Sequence, residues 1–247
     1  MVLKPAALRA IFSAVRCAFL GSLAIAIPRP SIACGLTPPI GPNGLPTVCR
    51  GDDAHIIVRV GLVGGGTSTK IDFGSESAKL LQGATSATID LLPLERLSLS
   101  AALGATLPGR LDYAGTRFDL LPGPMAGVGI GYRLFGGKAP FIHTSLTLSL
   151  ARSTTRAPDG REEAFTSRDY RLGVAVGKTL GKVAAPFAFA RYFGGGTSWA
   201  VAGHGGDHFR YQVGIGSAFT LSEHFDALAE LAFLGERRMS LGIGYVF

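Results

Sequence analysis

The 247 residues are 47% hydrophobic and 17% charged, include 35 glycines, and carry a formal charge of +7. Their mean hydropathy of +0.32 is high for a chain in water, yet after residue 33 no apolar run approaches the roughly 20 residues that a spanning helix needs. A helical membrane protein is thereby excluded, which leaves a large soluble core or a barrel whose strands cross a bilayer.

In chain order the first element is a leader. Lys4, Arg9 and Arg16 flank and precede an apolar stretch at 17–27, and Ser31 and Ala33 place small residues where signal peptidase reads. Residues 1–33 are expected to be a signal peptide cleaved after Ala33. Loss of Lys4, Arg9, Arg16 and Arg29 lowers the formal charge from +7 to +3, so the basic balance gives no argument for nucleic acid. Cys34 and Cys49 bound a Pro/Gly-rich segment without periodicity at 34–53. In an oxidising compartment an even pair is read as one disulfide. Acylation of Cys34 is the alternative, although Ser31 stands where a lipobox usually has leucine.

From residue 54 onward one theme repeats: apolar residues alternate with small or polar ones, then a turn follows. A period of two means a strand with two different faces. Val58, Val60 and Leu62 alternate with Arg59 and Gly61, and a short strand is expected at 85–92 around Asp90. Leu97, Leu99 and Leu103 oppose Ser98, Ser100 and Gly104. Val128, Ile130, Tyr132 and Leu134 oppose three glycines and Arg133. Leu146, Leu148 and Leu150 share a strand with His143 and Ser145 on the opposite face, and Tyr170, Leu172, Val174 and Val176 oppose Asp169, Arg171 and Gly173. At 184–193 Phe187 and Phe189 share a parity with Arg191, so a bulge or an exit from the membrane is expected there. Tyr211, Val213 and Ile215 oppose Arg210, Gln212 and Gly214. Phe225, Leu231 and Phe233 oppose Asp226 and Glu230. Met239, Leu241, Ile243, Tyr245 and Phe247 oppose Arg238 and Ser240.

Short turns near 93–95, 136–138, 181–182 and 222–224 alternate with longer connections at 64–84, 107–117, 153–166 and 194–207. Short periplasmic turns and long outer loops mark bacterial outer-membrane barrels. The expected architecture is an all-β, transmembrane, antiparallel up-and-down barrel over 54–247 with about ten strands. An even number lets the first and last strands pair and leaves no edge in lipid. A soluble sandwich would place charges on its non-core face, whereas here that face is mostly Gly, Ala and Ser, as the interior of a narrow barrel requires.

The C-terminal Leu241-Gly-Ile243-Gly-Tyr245-Val-Phe247 resembles the terminal strand of outer-membrane proteins, and the chain is similar to the small OmpA/OmpX-like and porin-like barrels. The resemblance implies outer-membrane location and recognition of those four residues by the barrel-assembly machinery, with outer-membrane lipid as the surrounding partner. It names no subfamily and no activity.

Charges assigned to the lumen are Arg59, Asp90, Arg133, His143, Asp169, Arg171, Arg210, Asp226, Glu230 and Arg238. They are read as an interior network plugging a small barrel, or as a charged narrow passage for small solutes; about eight strands are just filled by their own side chains. His143-Thr144-Ser145 has the His-x-Ser spacing of outer-membrane lipid A deacylases, but no acid can be assigned to it, so no catalytic residues are expected. His204, Asp207 and His208 lie in a glycine-rich stretch expected to be a polar outer loop and not a metal site. Trp199 in the same stretch is expected to be an interfacial aromatic. No cofactor motif is present. The expected role is structural or that of a narrow channel. Surface recognition through the outer loops comes second, and lipid modification third.

Overall fold

The computed structural model describes residues 57–94, 96–135, 140–180, 183–222 and 224–247. The leader, the 34–53 segment, the Cys34–Cys49 pair and parts of the four short turns lie outside the described residues. Among the described residues there are twelve strands: β1 Ile57–Phe73, β2 Glu76–Leu94, β3 Leu97–Tyr113, β4 Thr116–Leu121, β5 Gly123–Phe135, β6 Pro140–Arg156, β7 Glu162–Lys178, β8 Ala184–Trp199, β9 Gly203–Asp207, β10 Tyr211–Thr220, β11 Phe225–Gly235 and β12 Arg237–Val246. No described helix is long and apolar enough to cross a membrane.

All neighbours pair antiparallel, and the sheet closes when β12 meets β1, from Arg59↔Val246 to Ser68↔Arg237. The strand order, however, defines two rings. Toward the chain termini, ten strands close among the described residues: β1, β2, β3, β5, β6, β7, β8, β10, β11 and β12. At the far end β10, β11 and β12 have stopped. There β9 pairs directly with β1 through Ile71↔Asp207 and Asp72↔Gly206, and β4 stands where β5 stood, between β3 and β6. The far ring therefore has eight strands. Pro122 separates β4 from β5, and residues 208–210 separate β9 from β10. A register shift around Gly83, opposite Leu107-Pro108, lies at the same level. Proline cannot donate to a ladder and sits at such irregularities.

The strands are much longer than a bilayer requires. A spanning strand needs about 9–11 residues, which β10, β11 and β12 match with 10, 11 and 10. β1, β3, β6 and β7 have 17 each and β2 has 19. Seventeen residues in a tilted strand rise about 44 Å, beyond an apolar band about 25 Å tall. This corrects the expectation of long outer loops at 64–84, 107–117, 153–166 and 194–207, and of a short strand at 85–92: these stretches are barrel wall. Tight turns close them, as at Ala114 and Gly115, both with positive φ (48° and 78°). Such a two-residue turn twists with the strands it joins.

Around the ten-stranded ring the outward residues are the apolar ones foreseen, among them Leu62, Ile89, Leu103, Val128, Leu148, Leu172, Ile215, Leu231 and Leu241, all exposed. Together they form a continuous apolar belt, the surface that hydrocarbon covers in a transmembrane barrel. β8 has no bulge at Arg191, since its ladders to β7 and β10 run through that residue in unbroken register. It keeps its alternation, but with the large residues turned inward: Phe187, Phe189, Arg191 and Phe193 are all buried, and Pro186, Ala188 and Ala190 face out.

Candidate functional site: a lumen filled in layers

Side chains fill the interior in layers, with one cavity between them. Nearest the termini, Arg59 on β1 is 0% exposed. Its Nε and Nη2 donate to the two oxygens of Asp226 on β11, at 2.8 and 2.6 Å, and its Nη1 donates to Asp90 on β2 at 2.7 Å. The guanidinium lies against Gly244 of β12, where a Cβ would overlap it; glycine is required there by close approach. Across the ring, Arg133 and His143 are opposite one another on β5 and β6, both buried. His143 Nε2 is buried without a hydrogen-bond partner.

A band of apolar side chains follows, with Val63, Phe141, Phe187, Phe189 and Leu228 in one cluster. Arg191 crosses it. Its guanidinium sits 4.1 Å from the centre of the Phe189 ring, donates to Glu230 at 2.7 Å and to Gln212 at 3.1 Å. Charged guanidinium over a ring face, with a carboxylate at its end, is a favourable way to bury arginine. The sequence reading missed Arg191, although its shared parity with two phenylalanines was the available signal.

The next layer is built on the tight β11–β12 turn, which ends inside the barrel. Glu236 of this turn is buried and accepts a forked pair from Arg171 of β7, at 3.0 and 3.2 Å. Arg171 Nε also donates to Asp169 at 2.5 Å, and Gln212 donates to Glu236 at 3.1 Å. Arg238 lies 3.9 Å from Glu236. Above this layer is a cavity of about 130 Å³ lined by hydroxyls, including Thr67, Thr69, Thr106 and Thr197, by the charged Asp169, Arg171, Asp207, Glu236 and Arg238, and by apolar residues such as Ile71 and Phe165.

The eight-stranded ring caps that cavity with an apolar core. Trp199 is 1% exposed, so it is not the interfacial aromatic that was expected. Phe73, Tyr113, Phe118 and Phe165 surround it, with Phe118 edge-on at 4.9 Å. Its indole N–H donates to Thr155 Oγ1 at 2.8 Å, which satisfies the one polar atom such a core buries.

Of the ten charges assigned to the lumen, Arg59, Asp90, Arg133, His143, Asp226, Glu230 and Arg238 are buried and Asp169 and Arg171 nearly so. Arg210 is a correction: it is exposed, in the break between β9 and β10. The 203–208 stretch is likewise not a loop, since β9 runs through it. His208 is hydrogen-bonded at 2.9 Å to Asp72 on β1. The Ser77 hydroxyl donated to Asp72, with His208 beside it, holds that carboxyl below its usual range. Among the described residues, no group of three or more His, Cys, Asp or Glu is placed to hold a metal, and no hydrogen bond joins His143 to Ser145 or to a carboxylate. At the terminal strand, Leu241, Ile243 and Phe247 are exposed on the outer face, with Tyr245 partly covered between Phe225 and Phe247.

No family model matches the sequence, and no curated protein is significantly similar to it. Solved structures of similar outline include the outer-membrane protease OmpT from Escherichia coli, at 12% identity and a TM-score of 0.46, covering 78% of this chain and 96% of that one. The translocator domain of the autotransporter NalP from Neisseria meningitidis gives the same identity and TM-score over 78% and 89% of the two chains. The outer-membrane protein OprG from Pseudomonas aeruginosa is similar at 12% identity and a TM-score of 0.41, over 80% and 98%. Similarity at this level transfers no activity, ligand or partner to the chain.

Proposed function

We propose that the protein is a bacterial outer-membrane barrel with a structural, non-conducting role. In this reading the leader is removed on export, and Leu241, Ile243, Tyr245 and Phe247 are offered to the assembly machinery. The apolar belt sits in lipid, and the eight-stranded ring stands outside the cell. The carrying observation is the core around Trp199, an apolar cluster inside the outer ring. Beneath it Arg59, Arg171 and Arg191 are each engaged with carboxylates, so a solute would have to break buried pairs to pass. Refolded protein in planar bilayers is expected to show no stepwise conductance. Steady single-channel steps from the unaltered chain would overturn the proposal in favour of a narrow channel.

Surface recognition is the second reading, favoured by the ring that protrudes beyond the belt. Its working surface would be strand exteriors and the turns at 157–161 and 200–202. Deletion of 64–84 or 194–207 would remove barrel wall, so point substitutions are the appropriate test.

A further inference from the structure

The outer face of the eight-stranded ring carries several exposed arginines, and they differ in one respect. Those far from the apolar belt are paired with carboxylates: Arg117 with Asp112, Arg156 with Glu162, and Arg161 with Asp159. Arg152 and Arg168, just above the belt, are exposed, and their side chains make no hydrogen bond or ion pair among the described residues. Surface arginines kept free of carboxylates at one level are available to an anion that comes from elsewhere.

Register places these two residues around a groove. Across β6, β7, β8 and β9 one outward row reads Arg152, Thr166, Ser198, His204, each opposite the next. The row below it, toward the belt, reads Leu150, Arg168, Gly196. Below that come Leu148, Tyr170 and Gly194, with the Tyr170 ring lying over Gly194. The lowest row, Leu146, Leu172, Tyr192 and Tyr211, is the top of the apolar belt. Thr166, Arg168, Gly196, Ser198, His204 and Gly205 line a concavity of about 350 Å³.

The glycine floor is informative. Gly195 is demanded by the neighbouring strand, because a Cβ there would overlap the Arg168 carbonyl. Gly196 is not: a Cβ there would meet nothing closer than 4.0 Å, and at Gly206 on β9 nothing within 4 Å. Glycine in a strand interior is destabilising relative to alanine. The fold has room for a side chain at both positions, and at Gly196, which lines the concavity, its absence keeps the groove open.

We infer that this groove is a binding site for the phosphate-bearing sugar headgroup of a glycolipid in the outer leaflet. Arg152 and Arg168 match a phosphate in charge and forked geometry. Thr166, Ser198 and His204 supply hydrogen-bonding groups suited to sugar hydroxyls, and the leucines and tyrosines below receive the acyl chains. The inference rests on the proposed outer-membrane orientation.

Native mass spectrometry of the full chain refolded in detergent tests it, with lipid A as the probe. One bound lipid A is expected. The R152Q/R168Q double variant is expected to weaken it at least tenfold, and G196L, which fills the floor without removing charge, is expected to do likewise. R117Q/R156Q should bind as the unaltered chain does. Equal binding by R152Q/R168Q overturns the site. Equal binding of lipid A stripped of its phosphates removes the phosphate role, and equal binding of phosphatidylglycerol removes the sugar role; either overturns the inference. Displacement by millimolar inorganic phosphate would make it a site for the free ion and also overturns it. Gel mobility of unheated against boiled protein separates the two levels: loss of the heat-dependent shift would sink the barrel reading, whereas an intact shift with indifferent lipid binding sinks this site only.

Discussion

Strand β1 exchanges its two faces on its way along the barrel. Near the termini Val60 and Leu62 face out and Arg59 faces in; near the far turn Lys70 and Asp72 face out and Ile71 and Phe73 face in. β2 does the same, from Ile89 outside and Asp90 inside to Lys79 outside and Ala78 inside. The ten-stranded ring is thus apolar outside, with ionic layers and one apolar band inside, and the eight-stranded ring on the same strands is polar outside and aromatic inside. The direction of each side chain is set by the pleat and does not change; what changes is the solvent on the outer side. Hydrocarbon covers the first ring, so polar groups retreat to the lumen. Water covers the second, so apolar groups retreat there instead. The ten-stranded ring also holds one apolar cluster, around Phe187 and Phe189, but the aromatic core around Trp199 fills the ring whose exterior is polar.

The contrast breaks most visibly at the ionic layer. Arg59→Met leaves Asp90 and Asp226 buried without their cation, and a loss of about 3–5 kcal/mol is expected from such an orphaned pair. Guanidinium unfolding in detergent should show the midpoint fall. Replacing all three residues with apolar ones of similar size should recover most of that loss, because an intact buried ion pair is often no better than good packing. A triple variant as unstable as Arg59→Met would mean that the ionic layer itself stabilises the ring.

At the aromatic plug, Trp199→Ala should cost about 3–4 kcal/mol, but locally. The ten-stranded ring does not rest on Trp199, so the heat-dependent gel shift should persist while trypsin gains access to the 156–168 arginines. Loss of the shift together with the plug would show that the two rings fold as one unit. In the unaltered chain, fluorescence comes from a single tryptophan, and its emission should be blue-shifted and poorly quenched by acrylamide. Between the rings, Glu236→Ala removes the forked partner of Arg171. Hydrogen bonds to charged groups contribute about 1.5–3 kcal/mol, so a loss near the middle of that range is expected.

The ten-stranded ring was legible because most of its strands put apolar residues outward, as in Leu146, Leu148 and Leu150, against small, polar or charged ones inward. The eight-stranded ring was not, although Lys70-Ile71-Asp72-Phe73 and Arg117-Phe118-Asp119-Leu120 alternate just as regularly. Their polar residues resembled loop composition once the apolar face was assumed to meet lipid throughout. Strand β8 misled for the opposite reason: phenylalanines suggested lipid, but Arg191 on the same face needed carboxylates that only the folded lumen supplies. Pairing at the barrel closure, Ile71 with Asp207, joins residues too far apart in sequence for any local pattern to reveal. The groove above the belt depends on four strands in register, so its arginines were present in the sequence without a reason to be joined.

The smallest expected effect lies on the water-covered exterior. Arg156 and Glu162 face each other across the β6–β7 hairpin with both nitrogens of the arginine on one carboxylate oxygen. About half of each side chain is exposed, and exposed pairs contribute roughly 0.2–1 kcal/mol. Arg156→Ala should therefore shift the unfolding midpoint barely, and urea unfolding at 0.5 M salt should remove even that difference by screening. The same pair of measurements on Arg59→Met should keep its large shift at high salt, because the Arg59 layer is shielded from mobile ions. If salt erased both effects alike, the lumen would be open to electrolyte, and the sealed barrel would have to be given up.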